Sequence, residues 1–308
     1  PAGTGKSMCA KALPGILPPL SRDEALEVTR IYSAVGQVPK GQSLMTARPV
    51  RSPHHTACSV AVVGGGVIPR PGEVSLAHHG VLFLDEMPEF PRAVLETLRQ
   101  PLEDGDVTIA RAQGSIRFPA RFMLVAAMNP TPKGSKPTDE VSQRAMDKYM
   151  AKISGPLIDR VDIHVEVPPV PYQQLTGQKN GSDSATLRAK VIAARQRQAE
   201  RNGGTLKTNR VLSGSELDDF APLDPQAKEM LRQAMGELGL SARAYDKVRR
   251  VARTIADLEG IADITVAHVA EAIQYRLLDR RMCGRRAAIC DRPQTGRCFP
   301  RPSVAADN

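Results

Sequence analysis

Gly3-Thr4-Gly5-Lys6-Ser7 constrains this chain more than any other stretch. It matches the closing half of the phosphate-binding pattern G-x-x-x-x-G-K-[ST]. In that pattern glycines let backbone N–H groups curl round phosphates, the Lys reaches the β- and γ-phosphates, and the Ser hydroxyl ligates Mg²⁺. Such a loop is entered from a strand and left by a helix. The helix is expected over 6–13, while the strand and the opening glycine would precede Pro1. The 308 residues therefore read as part of a longer protein, and are expected to bind ATP poorly without that strand.

The rest of the chain supplies the strand and helix alternation such a loop requires. Ser21-Arg22-Asp23-Glu24 has capping-box spacing and starts a helix to about residue 35. Residues 37–55 read as irregular, and 67–76 as a turn or hairpin. Val81-Leu82-Phe83-Leu84 is an unbroken apolar run that ends at Asp85-Glu86, the pattern of a buried parallel strand. A helix is predicted over 91–102 and a hairpin over 107–124, its second strand running on to Met128. Residues 162–167 read as another buried strand. Pro, Gly and polar residues over 168–184 mark a linker, and four helices are predicted after it, over 185–202, 225–238, 242–258 and 266–281. The organisation is an α/β core over 1–167, a linker over 168–184, a helical region over 185–282 and a disordered tail over 283–308.

Composition excludes some functions. No apolar run approaches the twenty residues of a membrane span. Five Cys provide no disulfide framework, which points to a reducing cytoplasm. The formal charge is +9, of which the tail, with five Arg and two Asp, supplies three. Aromatics are 4% with no Trp, so a grip on nucleic acid would be ionic rather than built on stacked bases.

Order makes the loop specific. About eighty residues after Lys6-Ser7, a buried strand ends in acids. Asp85 would hold Mg²⁺ through water, and Glu86 would orient and polarise the water that attacks the γ-phosphate. Asn129, ending the next apolar run, could bond the same water or the phosphate. Read alone, Asp85-Glu86 is a strand cap with a solvated acid, and Asn129-Pro130 is a turn signal.

Gly-Thr-Gly-Lys-Ser, Leu-Phe-Leu-Asp-Glu, Ala-Ala-Met-Asn-Pro and Ser-Gly-Pro-Leu-Ile-Asp-Arg follow one another as in AAA+ ATPases. The stretches Arg48 to Thr56, Pro69 to His78 and Leu98 to Gly105 resemble the ComM/YifB family of magnesium-chelatase-like AAA+ ATPases, and the likeness covers about residues 1–282. It implies an AAA+ nucleotide-binding sheet with an all-α helical lid, ATP and Mg²⁺ as cofactors, and self-association into a ring, read as a hexamer. It further implies helicase action on single-stranded or branched DNA, driving branch migration in recombination and natural transformation. Gly3, Thr4, Gly5, Lys6 and Ser7 would bind ATP, with Ser7 and Asp85 at the metal. Asn129 would be sensor 1, Arg160 an arginine finger placed in the neighbouring subunit's site, and Arg243 the sensor-2 arginine. Arg111 and Arg117 on the hairpin would meet DNA phosphates in the pore, and 64–79 would be a second pore-facing insert.

Relatives in this family often carry Cys beside sensor 1. Here Pro130-Thr131-Pro132-Lys133-Gly134 has none, so no metal cluster is expected there. His54, His55, His78 and His79 are expected to pack the loops rather than bind zinc, because adjacent residues point apart on regular structure. Cys283, Cys290 and Cys298 lack zinc-module spacing. Two other readings stay open. One is the ATPase subunit of a magnesium chelatase, which remodels a protein partner. The other is a scaffold without turnover, against which the intact set Lys6, Ser7, Asp85, Glu86 and Arg160 argues.

Overall fold

The structure is a computed structural model that describes residues 4–111, 114–129, 144, 148–168, 181–204 and 207–276. Most of the expected linker, the polar segment 131–142 and the tail 283–308 lie outside the described residues.

A mixed α/β architecture surrounds a three-stranded parallel sheet. Its strands are β1 (Val50–Arg51), β4 (Val81–Leu84) and β7 (Met123–Ala126), in the order β1-β4-β7. All four residues of β4 are buried, so the uninterrupted apolar run follows from covering both faces of the central strand. Successive side chains point to opposite faces. Leu82 and Leu84 join a core with Phe90, Leu98, Val107 and Leu157, while Phe83 packs with Ala10 and Ala127 on the other side. Gly80 has no alternative residue, because a Cβ there would strike the Pro49 carbonyl. That carbonyl accepts from Val81 N at 2.9 Å, and Gly80 O accepts from Met123 N at 2.9 Å, which starts both parallel pairings.

Two antiparallel hairpins flank the sheet: β2 (Gly64–Gly65) with β3 (Arg70–Pro71), and β5 (Asp106–Arg111) with β6 (Gly114–Pro119). They meet where Gly64 lies against Ile109 Cδ1, 3.2 Å from where a Cβ would stand.

The structure corrects several sequence expectations. Residues 37–55, read as irregular, contain β1, and 67–76, read as a turn or hairpin, end in the short helix Glu73–Leu76. The second hairpin strand does not run on into β7. It ends at Pro119, which lacks the donor needed to continue a ladder, and residues 120–122 carry the chain into a different sheet. The helix over 91–102 is two short ones, Arg92–Thr97 and Arg99–Asp104, with Pro101 removing an N–H near the join. Residues 162–167, expected as a buried strand, form none. Ile163 and Val165 are 49% and 66% exposed, and His164 N bonds the Tyr275 carbonyl at 2.8 Å instead of a ladder.

The C-terminal helices are Ser184–Arg201, Ser215–Phe220, Pro225–Leu238, Ala242–Glu259 and Val266–Gln274. Asp183, Asp224 and Ser241 cap three of them through side-chain oxygens, and Gly239 and Gly260 end two in the left-handed conformation. Leu212, Leu217, Leu231, Val248, Ile264 and Val269 form their core. At its edge the 1%-exposed Asp257 accepts from Arg201, Arg253, Gln198 and Asn209.

Candidate nucleotide site

Five candidate residues converge at the carboxyl edge of the parallel sheet, where open α/β sheets place their ligands. Gly5, at φ 77°, precedes the helix Lys6–Ala12, and its carbonyl accepts from Cys9 N at 2.9 Å. That turn delivers Lys6 and Ser7. Ser7 Oγ donates to Asp85 Oδ2 at 2.7 Å, just past the end of β4. Lys6 Nζ donates to Asn129 Oδ1 at 2.8 Å, three residues past β7. The strand ends are locked to each other: Ala127 N bonds the Leu84 carbonyl at 2.9 Å, and Met87 N bonds the Ala127 carbonyl at 3.0 Å.

Glu86 completes the group. Its backbone takes φ 50°, one of two non-glycine residues with positive φ among the described residues. A bulky side chain in that region is strained, and such strain concentrates at functional sites. The turn aims the carboxylate, 53% exposed, away from the core, with His55 Nδ1 3.7 Å from it. The His55 ring lies tilted against that of His54, centroids 4.1 Å apart, and meets Phe90 edge-on. The sequence expectation for His55 is loop packing, and nothing in its own stretch attaches it to this site. The Ser7 hydroxyl and the Asp85 carboxylate are hard oxygen donors side by side, a set that suits Mg²⁺.

Arg160 and Arg243 come together elsewhere. Arg160 ends the helix Gly155–Arg160, donating to the Pro156 carbonyl at 2.8 Å and to Glu103. Arg243 lies 3.6 Å from the same Glu103 carboxylate and 4.0 Å from Asp159. The Arg160 guanidinium holds the Glu103 carboxyl below its ordinary range. Arg111 ends β5, and Arg117 on β6 pairs with Asp106 while staying 72% exposed.

The four histidines form two pairs of close, mutually tilted rings, contrary to the expectation that neighbours point apart. His79 has φ 55°, which leaves regular geometry and brings its ring within 4.0 Å of that of His78. Both Nε2 atoms reach Glu27 Oε2, at 2.9 and 2.7 Å, and the three donor groups lie within 4.8 Å of one another. A metal does not fit His78. Its Nδ1 accepts the Arg121 N–H at 3.0 Å, so the neutral ring carries its proton on Nε2, where an ion would need a lone pair. Burial holds the pKa of His78 down to about 4, and hydrogen bonds from the two rings lower that of Glu27. A cleft of about 500 Å³ beside this pair, lined by Arg30, Asp106, Arg117 and Arg121, contains none of the five convergent residues.

At this sheet edge Ser7 faces the strand-end acid Asp85 and Lys6 faces Asn129; comparison with known proteins gives the family. Residues 1–175 match the family model of the magnesium chelatase, subunit ChlI, and residues 181–276 match that of its C-terminal region. The chain belongs to this family, among its ComM/YifB members. It is 46% identical over 284 residues to the competence protein ComM of Haemophilus influenzae, covering 91% of this chain and 55% of that protein. It is 45% identical over 287 residues to the uncharacterized protein YifB of Escherichia coli, with the same coverage. The magnesium-chelatase subunit ChlI of Cyanophora paradoxa is 23% identical over 309 residues, 90% of this chain and 80% of that one. The chain spans about half the length of its ComM and YifB relatives. No helix among the described residues is long and apolar enough to cross a membrane.

Proposed function

We propose that this chain is the ATP-hydrolysing core of an AAA+ motor that acts on DNA, as a branch-migration helicase in recombination and natural transformation. The carrying observation is the meeting of Lys6, Ser7, Asp85, Glu86 and Asn129 at one sheet edge. The name of the Haemophilus relative, a competence protein, supports the DNA role. Thr4 and Gly5 would present backbone N–H groups to the phosphates, with Gly3, also expected to bind ATP, outside the described residues, and Lys6 would exchange Asn129 for the β- and γ-phosphates. Ser7 and Asp85 would hold Mg²⁺, which when bound neutralises charge developing between those phosphates. Glu86 would take a proton from the attacking water, with Asn129 aligning that water or the phosphate.

The C-terminal helices would serve as the lid. Arg160 and Arg243, sharing one carboxylate, would serve a single neighbouring site in a ring, so that hydrolysis depends on assembly. The hairpin β5–β6 carries Arg111 and Arg117 for phosphate contacts. The adjoining tip of the β2–β3 hairpin, with Val67 and Ile68 102% and 73% exposed, would line the same pore.

A second reading is a chelatase-type ATPase that remodels a protein partner, supported by the likeness to the Cyanophora subunit. Turnover by the intact protein separates them. Single-stranded or branched DNA should stimulate ATP hydrolysis. Indifference to DNA, with stimulation only by a protein partner, would favour the chelatase reading.

A further inference from the structure

Arg160 is poorly placed to reach another molecule. Its side chain is 14% exposed. Nη1 is bonded to the carbonyl of Pro156, one helical turn back at 2.8 Å, and Nη2 to Glu103 Oε2. The guanidinium therefore lies along its own helix. Arg243, 65% exposed, takes the other oxygen of the same carboxylate, with Nη2 3.6 Å from Glu103 Oε1. Glu103 itself is 49% exposed, at the end of the helix Arg99–Asp104.

The backbone around Arg160 is held separately. The 1%-exposed Arg276 lies 3.8 Å from Asp159 and donates to the Val161 carbonyl, and Lys247 pairs with Asp162 at 2.9 Å. A change at Arg160 can thus be confined to its side chain.

We propose that Glu103 is a positioning residue that keeps Arg160 retracted and coupled to Arg243 until the γ-phosphate of an adjoining subunit displaces its carboxylate. On its Glu103 side, 49% exposed, the pair is open to solvent, which screens it and lets a competing anion exchange with the carboxylate. A terminal phosphate offers close to two negative charges and three acceptor oxygens against one charge and two. The exchange frees both arginines in one event, so a subunit outside a nucleotide-loaded ring keeps its finger withdrawn. This inference rests on the reading of Arg160 as a finger acting in trans.

The test uses the intact protein with Glu103→Gln and Glu103→Asp, read by phenylglyoxal modification followed by peptide mass spectrometry, and by ATP turnover against protein concentration. Without nucleotide, Arg160 should be modified severalfold faster in the Gln variant, while Arg232, paired with Glu229 on a distant helix, keeps its rate. Half-maximal turnover should move to a severalfold lower protein concentration, and Asp should return both readings toward the parent. An unchanged Arg160 rate in the Gln variant, or an unmoved concentration dependence, would overturn the proposal. Full turnover in Arg160→Ala would instead end the trans-finger reading, and the modification rates would still report on the Glu103 contact.

Discussion

Replacing Asp257, which bonds none of the described candidate site residues, should strongly destabilise the C-terminal helices. Its carboxylate is 1% exposed and has its acceptor capacity filled: Oδ1 takes Arg201 and Arg253 Nε at 3.0 Å, and Oδ2 takes Gln198 at 3.2 Å and Asn209 at 2.8 Å. Truncation to Ala strands two cations, of which Arg253 is 3% exposed. Removing one partner of a buried ion pair costs about 3–5 kcal/mol. The lower end applies, because Arg253 keeps the Ile261 and Ala262 carbonyls and Arg201 is 19% exposed. Asn should be nearly as damaging despite its shape, since it turns an NH₂ toward donors and removes the charge. We expect a loss of about 3 kcal/mol for either, and a midpoint lowered by about 12–24 °C if these helices melt as a unit of roughly a hundred residues. The chain has no Trp, so urea titration followed by circular dichroism is the suitable assay. An Asn variant within 1 kcal/mol of the parent would refute the reasoning.

Acid should destabilise the core through His78. Its pKa is depressed from 6.5 to about 4, so the folded state refuses a proton that the unfolded state takes. The contribution is whole above pH 6.5 and lost as pH falls toward 4, amounting to about 3 kcal/mol at most. The lowered pKa of Glu27 adds a further loss only below its ordinary value of 4.5. Denaturation series between those limits should show a slope that His78→Gln removes; an unchanged slope would assign the effect elsewhere. Replacing Arg111 and Arg117 together with Ala should weaken DNA binding by the intact protein, cut the salt dependence by about two counterions and leave basal ATP turnover alone. Undiminished DNA affinity would remove the hairpin from the DNA path.

Features governed by local chemistry were legible from residues alone. The Ser21 capping box and the fully buried β4 each have a short-range cause, and each appears in the structure. Errors arose where partners are distant in sequence. Residues 162–167 have a strand's alternation, but a strand also needs a ladder, and the chain's neighbour there is Tyr275. At the site, residue types and their order pointed to Lys6, Ser7, Asp85, Glu86 and Asn129. The pairings Lys6 with Asn129 and Ser7 with Asp85 span 123 and 78 residues and depend on the sheet. Glu103 and His55 carry no local signal, since each becomes relevant only through what the fold sets beside it. The strained backbone of Glu86 is likewise invisible in sequence, where Glu gives no hint of positive φ.

The most direct test of the nucleotide site is Mg²⁺-dependent ATP binding and hydrolysis by the intact protein and its Glu86→Gln and Lys6→Ala variants. Glu86→Gln keeps the shape and removes the base, so binding should stay within a fewfold while turnover falls by about 10²–10⁴. Lys6→Ala should lose binding and turnover together. Full turnover without the Glu86 carboxylate, or undiminished ATP binding without the Lys6 ammonium, would contradict the assignment of this sheet edge.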